Sequence, residues 1–358
     1  MISNEKIIEI IGRSTNAPSG SNSQPWRFEI KDSTLIIIGL PEKDHPILNY
    51  RNRGTWLAHG ALIENIKINA NASGYQVKIT PFPNDNDQTI TAHLTFEEDT
   101  AHDEGLAGVI PQRMTNRYPF EKTFLTDQQT TFIAQSSREL EEFSGELFLE
   151  ENSSKITVLA NAVAANEIIT LETKELHHLF FNELVWSRKE EEKRKMGLYI
   201  KTMGLQLPQE MALKLFRHWF IMRLLNKVGI AKKIASSNAK GYSATPIMGA
   251  ILVPDTDKDF LIAGQLIERI WLKATQLGFG FHLMTGTLFF WQGMINKTDF
   301  LFTTGHQELI KSEYENITSI FKPNGKIVAA LFRLGKIKKV TVPSTKAKPV
   351  IVFQNLDV

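Results

Sequence analysis

Two short stretches carry side chains whose types and spacing suit ligand chemistry. The first, APSGSNSQPW, occupies residues 17–26. Asn16, Ser19, Ser21, Asn22, Ser23 and Gln24 crowd hydrogen-bonding side chains into nine residues, with Pro18 and Pro25 restricting the backbone around them. Gly20 admits a left-handed turn and close approach of a ligand to the main chain. A rigid, amide-rich loop of this kind suits a planar heteroaromatic whose edge alternates carbonyl and N–H groups. It also suits a plain polar turn between a helix and a strand. The second stretch, RMTNRYPF, places Arg113, Thr115 and Arg117 at i, i+2 and i+4. In an extended or turning segment these converge on one side. Two guanidiniums and a hydroxyl can grip a phosphate, because guanidinium forks match its oxygens bidentately. Surface arginines in a loop would give the same pattern.

The elements that must position these stretches follow from periodicity. Ile7, Ile8 and Ile11 predict an amphipathic helix over 4–13, with Asn4 as its cap. WRFEI and TLIIIGL, separated by KDS, predict a hairpin. A helix near 56–73, a strand near 75–81 and a further strand between acidic loops come next, and the chain divides near residue 105. Thr126 is placed to cap a helix starting in TDQQTTFIAQ. Long helical patterns fill 174–235, a buried strand lies in GYSATPIMGAILVP, a helix spans 260–277, and strand and loop close the chain.

One internal repeat organises the whole. LAHGALIENIKINANASGY (57–75) aligns without a gap on LIAGQLIERIWLKATQLGF (261–279), with 8 of 19 positions identical; about one or two would match by chance at ordinary composition. Gly60 and Gly264 fall early in each helix, where glycine costs about 1 kcal/mol relative to alanine unless close backbone packing requires it. Gly74 and Gly278 fit the left-handed position that closes a helix. A duplicated core helix predicts two related halves facing each other, a dimer built in one chain. Two unrelated core helices are the alternative.

Composition sets outer limits. The 358 residues carry a net charge of +2, so no global field points to nucleic acid or an acidic partner. The absence of cysteine excludes disulfides, thiolate nucleophiles and cysteine-ligated metals. No histidine or carboxylate stands at clear ligand spacing, and no metal site is expected. MISNEKIIEIIGRS is too polar for a secretory signal, and no apolar run reaches the roughly 18 to 20 residues of a membrane span. The expectation is a soluble cytoplasmic protein. SRKEEEKRK reads as a solvated helix face, and no acidic residue occurs from Met211 to Pro254. The basic pattern ALKLFRHWFIMRLLNKVGIAKKI predicts an amphipathic helix serving as a lid, as a membrane-surface or partner face, or as packing.

APSGSNSQPWRFEI resembles the A-P-S-x-x-N-x-Q-P-W-x-F segment of the FMN-dependent nitroreductase family, and RMTNRYPF resembles that family's R-x-S-x-R flavin-binding segment. The repeated helix resembles its long central helix, and LGFGFHLMTG the glycine-containing segment after it. The resemblance implies an α+β, nitroreductase-like fold with two related halves, each an antiparallel-rich sheet flanked by helices, forming an intramolecular pseudo-dimer. The halves would be 1–105 and 106–358, the second carrying a helical insertion at about 174–235. Each half keeps one complementary part of a site, so the chain resembles the twin, fused subgroup with one intact and one decayed flavin site.

Carried over, Pro18, Ser19, Gly20 and Asn22 would contact the isoalloxazine and ribityl chain. Arg113 and Thr115 would hold phosphate and ribityl, and Arg117 would lie near flavin N1 and C2=O. Lys346 and Lys348 stand in for a C-terminal basic residue at the phosphate, although the family's usual arginine is missing. Gly278 and Gly280 would bring backbone near the flavin's reactive face. His282 would line the same pocket or simply pack. The resemblance implies an FMN-dependent oxidoreductase in which NAD(P)H reduces flavin N5 and the flavin reduces a nitroaromatic, quinone or similar acceptor, with no catalytic side chain. A non-turnover, flavin-sequestering protein is the alternative, and a decayed fold kept for protein interaction a third. Partners would be limited to the small-molecule acceptor, with further oligomerisation left open.

Overall fold

A computed structural model describes residues 2–102, 104–296 and 301–354. Helix α1 (Asn4–Ser14) is capped by Ser3, whose hydroxyl accepts from the Lys6 amide, so the cap falls one residue before the expected Asn4. The predicted hairpin forms from β1 (Trp26–Lys31) and β2 (Thr34–Gly39). Its two-residue turn, Asp32–Ser33, has positive φ at both positions (47° and 62°), the geometry that matches strand twist. Helix α2 (Arg53–Asn71), β3 (Tyr75–Pro81) and β4 (Ile90–Glu98) follow.

After α3 (Asp127–Ala134), held by the Thr126–Gln129 capping box, come β5 (Glu146–Glu150) and α4 (Ser153–Glu172). The insertion contains α5 (Lys174–Glu183), β6 (Leu184–Val185), α6 (Arg188–Arg194), β7 (Leu198–Tyr199), α7 (Leu207–Phe216), α8 (Trp219–Asn226) and α9 (Ile230–Tyr242). The single amphipathic helix expected at 212–234 is therefore broken twice. One break is at His218, where the backbone turns extended and His177 Nε2–H donates to the Phe216 carbonyl (2.8 Å). The other is at Gly229, with φ of 74°. The chain ends with β8 (Ile247–Val253), α10 (Asp257–Gln276), β9 (Phe279–Met284), α11 (Gly286–Ile295), α12 (Thr304–Phe321), β10 (Ile327–Lys336) and β11 (Ile351–Phe353).

Besides the short parallel pair β6-β7 in the insertion, two larger sheets form, ordered β11-β1-β2-β4-β3 and β5-β8-β10-β9. All their pairings are antiparallel except β1–β11, which runs parallel with Phe28 opposite Ile351. That strand crosses the expected division at residue 105, because the C-terminal chain returns to complete the first sheet. Helix α2 packs its Leu62, Ile63 and Ile66 into the core of the first sheet, and α10 packs Leu266, Ile267 and Ile270 into that of the second. Each such side chain contributes about 1.5–3 kcal/mol when fully buried.

The two repeated helices cross directly on each other. A Cβ on Gly60 would lie 1.9 Å from the Leu261 carbonyl oxygen, and one on Gly264 would lie 2.2 Å from that of Leu57. Leu57 aligns with Leu261 and Gly60 with Gly264, so the contact is reciprocal. Only glycine lets the backbones approach this closely. Gly74 (φ 81°) and Gly278 (φ 75°) adopt the left-handed conformation expected after each helix.

Candidate functional site

Loop 15–25 joins α1 to β1 and spends most of its polar side chains on the protein itself. The left-handed turn falls on Ser21 (φ 46°) and Asn22 (φ 55°), with a further positive φ at Gln24 (50°), rather than on Gly20. Gly20 instead faces open space, with no atom within 4 Å of a Cβ placed there. Non-glycine residues in this region are strained and persist only where the surroundings hold them. Those surroundings come from two distant segments. The Gly197 amide donates to Ser21 O (2.8 Å), Gln24 Nε2 donates to Lys195 O (2.7 Å), and the Ser21 hydroxyl donates to Glu183. From the C-terminal arm, the Ala347 amide donates to Gln24 Oε1 (2.9 Å), and Asn22 Nδ2 donates to Thr345 O (3.0 Å). Asn22 Oδ1 is buried without a partner.

The arginine stretch lies along the edge of the second sheet. Thr115 bridges Phe281 in parallel, and the Asn116 amide donates to Phe281 O (2.9 Å). Arg113 and Asn116 are buried along this segment, and Thr115 and Arg117 are half-buried. Loop and stretch meet at a cavity of about 300 Å³. Pro18, Ser19, Gly20, Thr115 and Arg117 line it together. Its apolar walls are Leu57 and Ala58 of α2, Ile267 and Trp271 of α10, and Leu283 and Phe289. The cavity thus sits beside the crossing of the repeated helices.

The remaining predicted residues lie off the cavity lining. Arg113 is buried behind it, its guanidinium 4.3 Å from the Trp271 ring centre. One of its terminal nitrogens donates to Asn16 O (2.6 Å). Its Nε lies 3.2 Å from Glu268 Oε1, without the alignment of a hydrogen bond, and both Glu268 oxygens are buried with no aligned donor. Burial pushes the Glu268 carboxyl up to about 7 against the pull of Arg113. Lys346 is half-buried with its ammonium enclosed, and it donates to Ala17 O (2.8 Å). Burial, aided by Arg113, lowers it to about 7. Asn22 is held by the arm, as described. Lys348 is exposed. Gly278 sits in the turn after α10 facing open space, and Gly280 is packed against Phe120, whose ring would lie 2.5 Å from a Cβ. His282 is packed, accepting from Arg333 Nε at Nδ1 (3.2 Å), and burial keeps it neutral by drawing its pKa well below the usual value.

Sequence reasoning missed the rest of the lining. Asp44, Glu183, Arg194, Met196 and Gly197 all border the cavity. Asp44 accepts from Ser23 Oγ (2.7 Å) and from the Thr55 hydroxyl, and burial raises its pKa. Burial also raises Glu183, with Asp44 adding repulsion. These residues come from a 3₁₀-rich loop and the insertion, and no local motif announces them. Arg117 is half-buried, and its guanidinium donates to Thr202 O (3.0 Å), another residue of the insertion. Burial lowers its pKa, yet it remains a cation in the cavity wall. Among the described residues no group of three or more histidines or acidic residues is arranged to hold a metal ion, and no helix is long and apolar enough to cross a membrane.

The site thus combines an apolar slot, a cationic wall and a rigid polar loop. That set of features is suited to a planar ligand carrying or gaining negative charge. No family model matches the chain. Among curated proteins it is similar to the "Putative NAD(P)H nitroreductase acg" of Mycobacterium tuberculosis, 28% identical over 123 residues, 34% of this chain and 37% of that protein. It is also similar to an uncharacterized protein of that organism, 31% identical over 112 residues, 29% of this chain and 33% of the relative. A longer alignment, 24% identical over 298 residues, covers 80% of this chain and 39% of a further uncharacterized M. tuberculosis protein. The chain therefore spans between 33% and 39% of the length of these relatives. Among solved structures, a nitroreductase with bound FMN from Desulfitobacterium hafniense overlaps 69% of this chain and 96% of its own, with a TM-score of 0.37 and 13% identity. The FMN-dependent nitroreductase NfnB of Mycobacterium smegmatis in complex with NADPH overlaps 65% of this chain and 88% of its own, with a TM-score of 0.36 and 10% identity.

Proposed function

We propose that the chain binds FMN in this cavity and serves as a nitroreductase-like, NAD(P)H-dependent oxidoreductase. The observation that carries the reading is the convergence of Pro18–Gly20 with Thr115 and Arg117, separated by about ninety residues of sequence, on one apolar-walled cavity. The M. tuberculosis relative named as a putative NAD(P)H nitroreductase points the same way.

The residues present fit such a group. Gly20 borders the cavity with open space on its Cβ side, its carbonyl taken by the Ser23 amide (2.8 Å), and behind it Asn22 Oδ1 is a buried acceptor lacking a donor. Trp271 and Leu57 supply apolar surface for a planar ring. Pro18, Ser19 and Gly20 would hold the ring and its chain, with Asn22 bracing the loop behind them, and Thr115 and Arg117 the polar end of the cavity. Arg113 and Lys346 would supply charge from behind. Bound flavin would supply the chemistry, taking two electrons from a nicotinamide donor and passing them to a nitroaromatic, quinone or similar acceptor. The chain would supply a fixed cation, Arg117, that favours a ligand gaining negative charge, and walls that exclude water. No side chain need act as nucleophile or base.

The reciprocal Gly60–Leu261 and Gly264–Leu57 contacts support a fused pseudo-dimer with one retained site. One observation favours a second reading. The insertion residues Glu183, Arg194, Met196 and Gly197 border the cavity, and Gly197 is hydrogen-bonded to the loop, so a lid would cover the ligand and leave a flavin-holding protein without turnover.

An absorbance spectrum of purified chain, before and after adding FMN, tests the proposal. One flavin per chain, bleached by NAD(P)H and largely lost in Arg117→Met, is expected. A colourless protein that ignores added FMN would rule it out. Bound flavin that no donor bleaches would favour the lid reading. In that case Ser21→Ala combined with Gln24→Ala, which loosens the insertion, should restore reduction.

A further inference from the structure

Helices α7 and α8 turn an apolar stripe toward solvent. Leu207, Met211 and Leu215 recur at i, i+4 and i+8 and are 71%, 72% and 50% exposed. Phe220, Leu224 and Val228 repeat the spacing and are 68%, 56% and 66% exposed. Their opposite sides are spoken for. Leu213, Phe216 and Met222 pack into one cluster with Phe181 and Ala231, so the exposed residues of both helices lie on the outer side of a single core. Six large apolar side chains exposed along two adjoining helices and the turn after them mark an interaction face.

The charges around the stripe are of one sign. Lys214, Arg217, Arg223, Lys227, Lys232 and Lys233 are all exposed. No acidic residue occurs from Met211 to Pro254, although the whole chain carries a net charge of only +2. Glu210, the carboxylate that precedes this run in sequence, is occupied by Lys201 at 2.7 Å. The excess of cations is therefore local to the apolar stripe.

We propose that this face docks the chain on an anionic lipid surface, with α7 and α8 lying in the headgroup plane. Apolar side chains would enter the acyl boundary while the flanking lysines and arginines meet lipid phosphates. Both signals are needed, because apolar insertion or a polybasic patch alone holds a protein only weakly and reversibly. No described helix can span a membrane, which fits attachment to one leaflet. An acidic protein partner would meet the same charges. The lipid surface is favoured because the apolar side chains stand out from helix exteriors, more than half their area open along most of the stripe, as insertion into a soft interface requires.

The test uses the full chain in co-sedimentation with vesicles of phosphatidylcholine alone or with about 30% phosphatidylglycerol. Binding to the anionic vesicles should exceed binding to the neutral ones by about tenfold or more and fall steeply with salt. Phe220→Ser with Leu224→Ser should lose about tenfold of the anionic binding, as should Arg223→Gln with Lys227→Gln. These side chains are exposed, so an unchanged thermal melt should verify folding. Equal binding by wild type and both variants, or no binding by folded wild type, would overturn the proposal. So would inert vesicles combined with stripe-dependent self-association in sedimentation velocity or stripe-dependent capture of an acidic amphipathic peptide.

Discussion

The two copies of the repeated helix carry the same glutamate into opposite circumstances. Glu64 in α2 and Glu268 in α10 occupy equivalent repeat positions, and both are fully buried. Glu64 accepts from Arg269 Nε (2.7 Å), and Arg269 also reaches Glu104 (2.8 Å) and Glu139 (2.9 Å), the latter shared with Lys273 (2.7 Å). Neither Glu268 oxygen has an aligned hydrogen-bond donor, although Asn65 and Arg113 lie close enough to draw its pKa down against burial. The difference begins one position further along each helix. Arg269 and Lys273 in the second copy stand where the first has Asn65 and Asn69, and these asparagines turn to Ser14 of α1 instead (3.1 and 3.0 Å). Glu268 must therefore borrow its cations from Arg113 and Lys346, which come from the arginine stretch and the C-terminal arm. One copy has an ion network that serves stability. The other has unspent polar capacity behind Trp271, a wall of the cavity.

The comparison presumes that the two helices meet symmetrically, and that is the point at which it breaks most severely. Gly60→Ala and Gly264→Ala should each cost about 4 kcal/mol or more, because the added carbon meets backbone carbonyls that cannot rotate aside. Urea or thermal unfolding checks this. Gly278→Ala is the control, with a φ of 75° but open space, and should cost about 1 kcal/mol. If either crossing variant unfolds like that control, the helices are not locked at this contact.

Removing the cation on each side sharpens the contrast at a lower cost. Arg269→Met leaves Glu64, Glu104 and Glu139 without their shared partner and should cost about 3–5 kcal/mol, as expected for a broken buried network. Arg113→Met should cost less, about 1–2 kcal/mol, because Glu268 already holds its proton to about pH 7 and can stay neutral. Flavin content per folded chain should go the other way, unchanged in Arg269→Met and reduced in Arg113→Met. Equal destabilisation with equal flavin retention would remove the distinction between a structural and a ligand-facing copy.

Much of this is legible in the sequence, and the illegible part has a physical pattern. The hairpin, the repeated helices and their capping glycines show because each depends on local periodicity or a backbone conformation that one residue type supplies. APSGSNSQPW reads as a rigid loop, but its hydrogen bonds run to Gly197, Lys195, Thr345 and Ala347, and nothing local encodes those partners. Its spare polar groups mainly anchor the insertion and the arm, and of the four loop residues expected at the ligand only Pro18, Ser19 and Gly20 line the cavity. Asp44 and Glu183 stay hidden because a lone carboxylate in a loop or at a helix end is ordinary until the fold buries it. The basic pattern at 212–234 promises one helix too long. Its apolar spacing continues past His218 and Gly229, where His177 and a left-handed glycine end the turns.

The smallest effect gives the cleanest test of whether Glu268 is held apart from Glu64. Its carboxyl titrates near 7 in the fold against 4.5 for an unperturbed glutamate, so the folded chain keeps a proton that the unfolded chain releases between those values. The stability this gives is fully present below about pH 4.5 and is lost as pH rises through 7. Lys346, lowered from 10.5 to about 7, works in the opposite sense. Its contribution is present above about 10.5 and is lost as pH falls through 7. Wild type should therefore be least stable near neutrality with respect to these two groups. Glu268→Gln cannot ionise, so relative to wild type it should gain about 1–2 kcal/mol between pH 5 and 7, and nothing further above that. Urea midpoints at several pH values measure the slope, and the difference between variant and wild type cancels the titrating groups that do not interact with Glu268; Lys346, which Glu268 raises, shifts with it. Glu64→Gln, which takes a bonded carboxylate from Arg269, should instead lower the urea midpoint. A constant offset for Glu268→Gln across the range would mean that Arg113 keeps Glu268 ionised, and the two copies would then differ in geometry alone.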